Sequence, residues 1–407
     1  MKKIVYPILV LIFFANSYTQ DQIIQSTASA EMYAEKASSA WTRSSREEAF
    51  ESLKKIDLTF SLSAWKTVLD KSNEAAFKIE AINRISQSKD KRDLNSIINQ
   101  LDSRFSEVRT AAIAVLKRIG DDRVYPKILL MSQNENPVFR VYAAEALTSM
   151  YDKRFLPIVA EMVKDKNKSI RLMIIRLIAK NKISEQLNNL KAIALQDDDY
   201  EVIIESMNAL SSFGDSSSSY IYIKLLSHSD YNVRKTAADK IARYRISSAA
   251  SALNEQLERE TDDYLKDFYI SLLVSFRSSF IRGIELTALK DSSARLRIKA
   301  VASLGILRSD RSAGVLIQSL SDEDYRVRSE ACNSLAIINA RSSCQKMTAM
   351  VKNEKNIFVR SAALYALEKI RDKSTIIPLY DILAEEKDEV FRMLLNNTLR
   401  NMVEKTI

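Results

Sequence analysis

Glycine and proline are both scarce here, five of each in 407 residues. That is too few for the tight turns of a β-rich or doubly wound fold, so helix is the expectation. The single histidine, His228, leaves most zinc sites, Ser/His/Asp triads and Cys/His dyads without an imidazole, which argues against ordinary hydrolytic chemistry. It lies in a turn between helices and reads as a solvated side chain. The two cysteines fall where other parts of the chain place Ala or a branched apolar residue. Cys332 and Cys344 therefore read as buried hydrophobes, and their offset across a helical turn sets their alpha carbons further apart than a disulfide allows. No calcium loop accompanies Asp197–Asp199 or Asp388–Glu389, since the glycine and spaced oxygens are missing. No catalytic residue, metal site or cofactor is assigned.

What remains is ample for a folded core: 46% of residues are apolar and 28% charged. The formal net charge of +9 is spread along the chain without a basic tail or stripe, which argues against a nucleic-acid partner. At the start, Lys2 and Lys3 precede an apolar run from Ile4 to Ala15, and Ala15 and Ser17 supply the small side chains of a cleavage site. Residues 1–17 are read as a signal peptide cut after Ser17. The run is shorter than the roughly 20 residues of a spanning helix, and no later stretch reaches that length. The expected mature protein is exported, periplasmic or secreted, and has no integral membrane segment.

A phrase of the form V-R-x-x-A-x-x-x-L-x-x-I recurs along the chain, most clearly from Val108, Val327 and Val359. With its arginine as the register position, the series is Lys78, Arg109, Arg140, Arg171, Ile203, Arg234, Lys266, Arg297, Arg328, Arg360 and Arg392, in steps of 31 or 32. Arg46 is a plausible twelfth member. Apolar residues three, seven and ten places after the register position line one side of a helix. Four places before it stand Asn136, Asn167, Asp199, Asp230, Asp262, Ser293, Asp324, Asn356 and Asp388, each able to cap that helix. Phe105 and Glu74 break the pattern. An earlier cap register at Asp121, Asp152, Ser184, Asp215, Ser247, Ser278 and Ser309 opens a first helix of 11 to 13 residues. Pro126, Pro157 and Pro378 share one position inside it, where a common bend is expected.

Each unit is thus a helical hairpin that cannot bury its apolar sides alone. The fold class is all-α, an α-solenoid of about 11 to 12 stacked hairpins in a right-handed superhelix. Repeats are assigned over 42–407, regular from 74, with 18–41 as an N-terminal tether or capping segment in which Trp41 either seals the first unit or stays free. At these residues the chain resembles the HEAT-repeat superfamily, in particular the short HEAT-like repeats named after phycobilisome bilin lyases. The resemblance implies a binding scaffold whose second helices line the concave face. It carries no enzyme site over: the His-Glu pairs that hold iron in deoxyhypusine hydroxylases are absent, Ser229 following the lone histidine.

The register arginines Arg109, Arg140, Arg171, Arg234, Arg297, Arg328, Arg360 and Arg392 read as structural, bonding neighbouring carboxylates or helix ends along the stack. The opposite face of the second helix falls two, five and nine places after the register position. There Tyr142, Met173, Phe268, Arg176, Tyr365, Arg118, Lys180 and Arg243 are candidate partner-binding residues, since apolar and cationic side chains in a groove anchor protein interfaces. The function read from these features is that of an exported, non-enzymatic scaffold for a protein partner of the cell envelope or exterior. A lyase-like or chaperone-lyase activity on an exported protein and an adhesin or envelope-polymer binder are the alternatives. The sequence leaves the oligomeric state open.

Overall fold

The computed structural model describes residues 20–88, 90–214 and 216–404. The expected signal peptide lies outside them. Among the described residues there are 24 α-helices and no strand, an all-α solenoid of stacked hairpins. The chain divides after Leu190 into two compact units.

The first unit holds α1 (Gln20–Ser39), α2 (Arg43–Lys54), α3 (Leu58–Lys71), α4 (Ala75–Ile85), α5 (Leu94–Ile98), α6 (Ser106–Ile119), α7 (Val124–Ser132), α8 (Pro137–Met150), α9 (Leu156–Met162) and α10 (Lys168–Asn181). Helix α1 packs on α2 and α3 and buries Ala30, Ala34 and Ala37. Beneath them Phe50 stacks on Phe77 at 3.9 Å and meets Trp65 edge-on at 5.6 Å. Trp41 contributes nothing to this seal, being 99% exposed.

Helix α11 (Leu187–Gln196) spans the division. The second unit continues with α12 (Tyr200–Phe213), α13 (Ser219–Leu225), α14 (Tyr231–Arg243), α15 (Ala250–Arg259), α16 (Asp263–Ser275), α17 (Arg282–Lys290), α18 (Ala294–Leu307), α19 (Ala313–Ser319), α20 (Tyr325–Ile337), α21 (Cys344–Asn353), α22 (Ile357–Ile370), α23 (Ile376–Glu385) and α24 (Glu389–Glu404). The core positions follow the register: Ala331, Leu335, Ala363 and Leu367 are fully buried. Eight of the nine expected second-helix caps bond a first-turn N–H through the side chain, the exception being Ser293. Each such cap is worth about 1 kcal/mol.

The first helices differ from expectation. Most open with a three-residue 3₁₀ turn, such as Lys153–Phe155 or Lys373–Thr375, and the α-helix that follows is only 7 to 10 residues long in α9 and α23. Asp121 and Asp152 accept from the N–H two places on, capping the turn and not the α-helix. Pro126, Pro157 and Pro378 consequently fall in the first turn of an α-helix, where a missing N–H is harmless. They do not mark a bend within it.

Second helices end in a second shared device. Eleven places after the register position the backbone turns left-handed, at Gly120, Lys182, Gly214, Arg245, Arg277, Arg308, Asn339 and Arg371. The left-handed residue closes the last turn, and where it is not glycine it holds a strained backbone that the surrounding packing must maintain.

The register arginines clasp consecutive hairpins. Arg297 is buried; its Nε and Nη2 bond both carboxylate oxygens of Asp322 at 2.9 Å, while Nη1 donates to the carbonyl of Asp291. Asp322 in turn accepts the backbone N–H of Asp324 at 2.8 Å, and its carbonyl accepts from Arg328 at 2.8 Å. One acidic residue thus holds the preceding arginine by its carboxylate, its own arginine by its carbonyl, and the cap of its own second helix. The same clasp joins Arg140 to Asp165, Arg234 to Glu260, Lys266 to Asp291, Arg328 to Glu354, and Arg360 to Glu386. Arg171 donates to the carbonyls of Asp165 and Lys166.

Two register arginines depart from this scheme. Arg109 faces a hairpin whose turn carries Asn134 in place of the acid, and its Nε bonds Glu145 at 2.9 Å instead. Arg392, expected to be structural, is exposed and has no ion pair among the described residues; no described hairpin follows it to supply the acid.

Burial opposes charge on Asp165, Glu260, Glu354 and Glu386, but guanidinium and backbone N–H bonds overcome it and hold all four below the ordinary values of 3.8 or 4.5. A depressed carboxyl contributes stability that is complete above its unfolded pKa and is lost as pH falls through its folded value. The urea midpoint is therefore expected to be level from about pH 7 to 5.5 and to fall steeply below about pH 4. A midpoint that stays level to about pH 3 would show that these clasps do not couple to folding.

Candidate protein-binding face

Along several second helices, the positions five and nine places after the register position are exposed, although Glu145 at a five-place position is drawn to Arg109 of the neighbouring helix. In the first unit this row carries Arg118, Arg176 and Lys180, all exposed; the Arg118 guanidinium donates to Ser86 Oγ at 3.3 Å. In the second unit it carries Arg243, exposed with its guanidinium 5.9 Å from the Tyr244 ring, and Tyr365, exposed with Lys369 Nζ 4.9 Å from its ring.

Positions two places after the register position behave otherwise. Tyr142, Met173 and Phe268 are half-buried. Tyr142 lies 3.7 Å beneath the Arg109 guanidinium, a cation-π contact within the stack. Phe268 sits 6.3 Å from Tyr264. All three are thus less open than the groove anchors expected from the sequence.

The same register identifies residues the sequence reading passed over. Ile306 and Ile337 stand nine places after Arg297 and Arg328, and both are exposed, Ile306 at 61%. At the opposite end of the same helices, Phe358 is 68% exposed and its ring centre lies 6.4 Å from that of exposed Tyr325. With Tyr365 they spread five large apolar side chains over α18, α20 and α22. Glu330 on α20 is half-buried and has no ion pair among the described residues; burial raises its carboxyl above the ordinary range while the Asn333 amide opposes that shift. The signal was in the sequence, as the nine-place row was already in hand for Arg118, Lys180 and Arg243.

His228 occupies the turn place that Glu260, Asp291 and Asp322 hold elsewhere. Its Nδ1 accepts the Asp230 N–H at 3.0 Å and its carbonyl accepts from Arg234, so it is a turn-forming group and not merely a solvated one. Asp199 and Asp388 cap helices. Among the described residues no group of three His, Cys, Asp or Glu side chains could hold a metal ion, and no helix is long and apolar enough to cross a membrane.

The HEAT-repeat family model matches residues 126–211, 187–272, 285–368 and 315–400, together more than half of the chain. The chain belongs to the HEAT-repeat family. Among curated proteins no sequence matches it. Solved structures that it resembles include Kap121p bound to Pho4p, at 11% identity and a TM-score of 0.46, covering 94% of this chain and 50% of that one. Kap121p bound to Nup53p gives 11% and 0.46, covering 97% and 51%. The structure of YibA from E. coli gives 17% and 0.31, covering 73% and 97%. The chain spans about half the length of the Kap121p chains it matches.

Both cysteines are free and buried. Burial pushes the Cys332 thiol up to about 12 and the Cys344 thiol up to about 11, which leaves almost no thiolate at neutral pH. Ellman's reagent at pH 8 is expected to label neither thiol of the native protein within minutes and both in urea. Rapid labelling of one equivalent without denaturant would contradict the packed position of that sulfur.

Proposed function

We propose that the protein is an exported, non-enzymatic scaffold that holds a protein partner of the cell envelope or exterior on the exposed face of its second helices. A HEAT-repeat solenoid is suited to protein-protein interaction, and the observation that carries this reading is the apolar group Ile306, Ile337, Tyr325, Phe358 and Tyr365 on three successive second helices. Five such side chains in water have no use in the stack itself, since the stacking rows are already filled. Exposed large apolar side chains gathered on one face mark an interaction site, and large aromatic anchors supply most of an interface's energy. In the first unit the same helix row carries Arg118, Arg176 and Lys180, cations whose part in binding is steering and salt dependence.

A photo-crosslinker placed at residue 337 or 365 in cells is expected to trap a defined partner, whereas one at exposed Glu255 on the first-helix side traps none. With that partner purified, Ile337→Asp or Tyr365→Asp should weaken binding by about tenfold or more without changing the thermal midpoint. Charge reversal at Arg118, Arg176 and Lys180 should mainly slow association at low salt. Equal trapping from both faces, or affinity untouched by either aspartate, would remove this face as the site.

Export rests on Lys2, Lys3 and the Ile4–Ala15 run. N-terminal sequencing of the protein recovered from the cell envelope or medium is expected to begin at Tyr18. Recovery of the whole chain in the cytoplasm with its first residues intact would overturn the export reading.

A further inference from the structure

On the second helices of the second unit, the position six places after the register residue is turned toward the helix before. There Ser334 of α20 donates to the carbonyl of Val301 on α18 at 3.0 Å, and Gly305 lies so close that a methyl group on it would strike Ser334. Small or apolar residues fill the place in other hairpins, and Ala209, Leu272, Ser303, Ser334 and Ala366 are all buried. On α14 the place is taken by Lys240, which is half-buried.

This cation is poorly answered by the chain. Burial reaches the ammonium and not only its stem, since it holds Lys240 below the ordinary 10.5; Arg243, one turn on, lowers it further, and Asp239 opposes the shift without overcoming it. The Asp239 carboxylate is bonded to Lys235 Nζ at 3.1 Å. Ser211, the α12 residue that corresponds to Gly305, is engaged as well: the Tyr244 hydroxyl donates to its carbonyl at 2.7 Å and lies 2.6 Å from its Oγ. Neither Lys240 nor exposed Arg243 has an ion pair among the described residues. Register cations such as Arg234 and Lys266 are each given a carboxylate by the next hairpin. The desolvation of Lys240 has no such return, at a place where Leu or Ala would pack without it.

We propose that Lys240 and Arg243 together receive a carboxylate side chain of the protein partner, and that the bound segment carries this acid about five or six residues from its apolar anchor. Side chains three apart on a helix are neighbours, so the ammonium and the guanidinium can converge on one anion, and the guanidinium fork suits the two oxygens of a carboxylate. Arg243 and Ile306 both stand nine places after their register positions, on second helices two hairpins apart. Packed helices lie 8 to 10 Å from one another, which sets the two side chains roughly 16 to 20 Å apart. An extended segment covers that span in about five or six residues. The spacing rests on the partner-binding face proposed above; the carboxylate site does not.

Two fluorescein-labelled peptides test this by anisotropy on the full chain. Each has Leu-Phe at one end and a spacer of about five serines, and one closes with a pair of glutamates where the other has a pair of glutamines. The glutamate peptide is expected to bind about tenfold more tightly than the glutamine peptide. Lys240→Leu or Arg243→Gln should each bring the two affinities within about twofold. Lys240→Leu, which supplies the residue type of Leu272, should also raise the thermal midpoint by about 2 °C or more, whereas loss of a lysine that served the stack would lower it. Ile337→Asp should weaken both peptides alike and leave their ratio standing. Equal affinity of the two peptides for the native protein, a ratio that survives both substitutions, or a lowered midpoint in Lys240→Leu would each overturn the carboxylate site. Release of the glutamate peptide by about 1 mM phosphate but not by the same acetate would overturn it too, in favour of a phosphate. If the ratio holds and Ile337→Asp changes neither peptide, the apolar face and the spacing fail while the carboxylate site stands.

Discussion

A buried guanidinium shared between two hairpins governs how this chain stacks. Arg297, Arg328 and their equivalents reach into the turn of the next hairpin, and the acid they find there is already committed to a backbone cap. Hydrophobic contact brings hairpins together but is indifferent to a slide of one turn. The clasp is not indifferent, because a slipped hairpin would leave one cation and one carboxylate buried apart, each a heavy penalty. Apolar burial supplies the bulk of the stability, and the charged turn supplies register.

The surface exposed by this arrangement follows from the rows it consumes. Core rows three and seven places after the register position close each hairpin, and rows one and two places after it close the gap to the neighbour. Only the rows beyond remain free to vary. In the second unit that freedom is used for Ile306, Ile337 and Tyr365, residues that no packing requirement explains.

Much of this was legible beforehand for a definite reason. The register arginine, the cap four places earlier and the apolar stripe all repeat in identity or in kind, so periodicity alone exposes them. The acid six places before the arginine escaped notice because it alternates among Asp, Glu, Asn, Ser and His, and its meaning appears only across hairpins. Where the register residue is Ile203, the turn of the next hairpin carries His228; where the register residue is Arg297, it carries Asp322. At these two seams the charge and its acceptor change together, whereas Arg109 faces Asn134 and takes Glu145 instead. The half-buried state of Tyr142, Met173 and Phe268 was hidden for a related reason, since a helical wheel separates the faces of one helix but does not say how near the next helix lies. The length of the first helix misled because the same Asp that caps an α-helix caps a 3₁₀ turn equally well.

The pairing of Ile203 with His228 bears on how such a molecule is lengthened or shortened over generations. Excising a whole unit from genomic DNA fuses one hairpin to a stranger, and the register cation must find a new acceptor, in the turn or, as Arg109 does at Glu145, beside it. Loss of the hairpin carrying Lys266 would set Arg234 against Asp291, a workable match, whereas loss of the one carrying Ile203 would set Arg171 against His228 and strand the guanidinium. Unequal recombination should consequently be tolerated at the salt-linked seams and selected against around the neutral one, which makes that seam a fixed point in the lineage of the array.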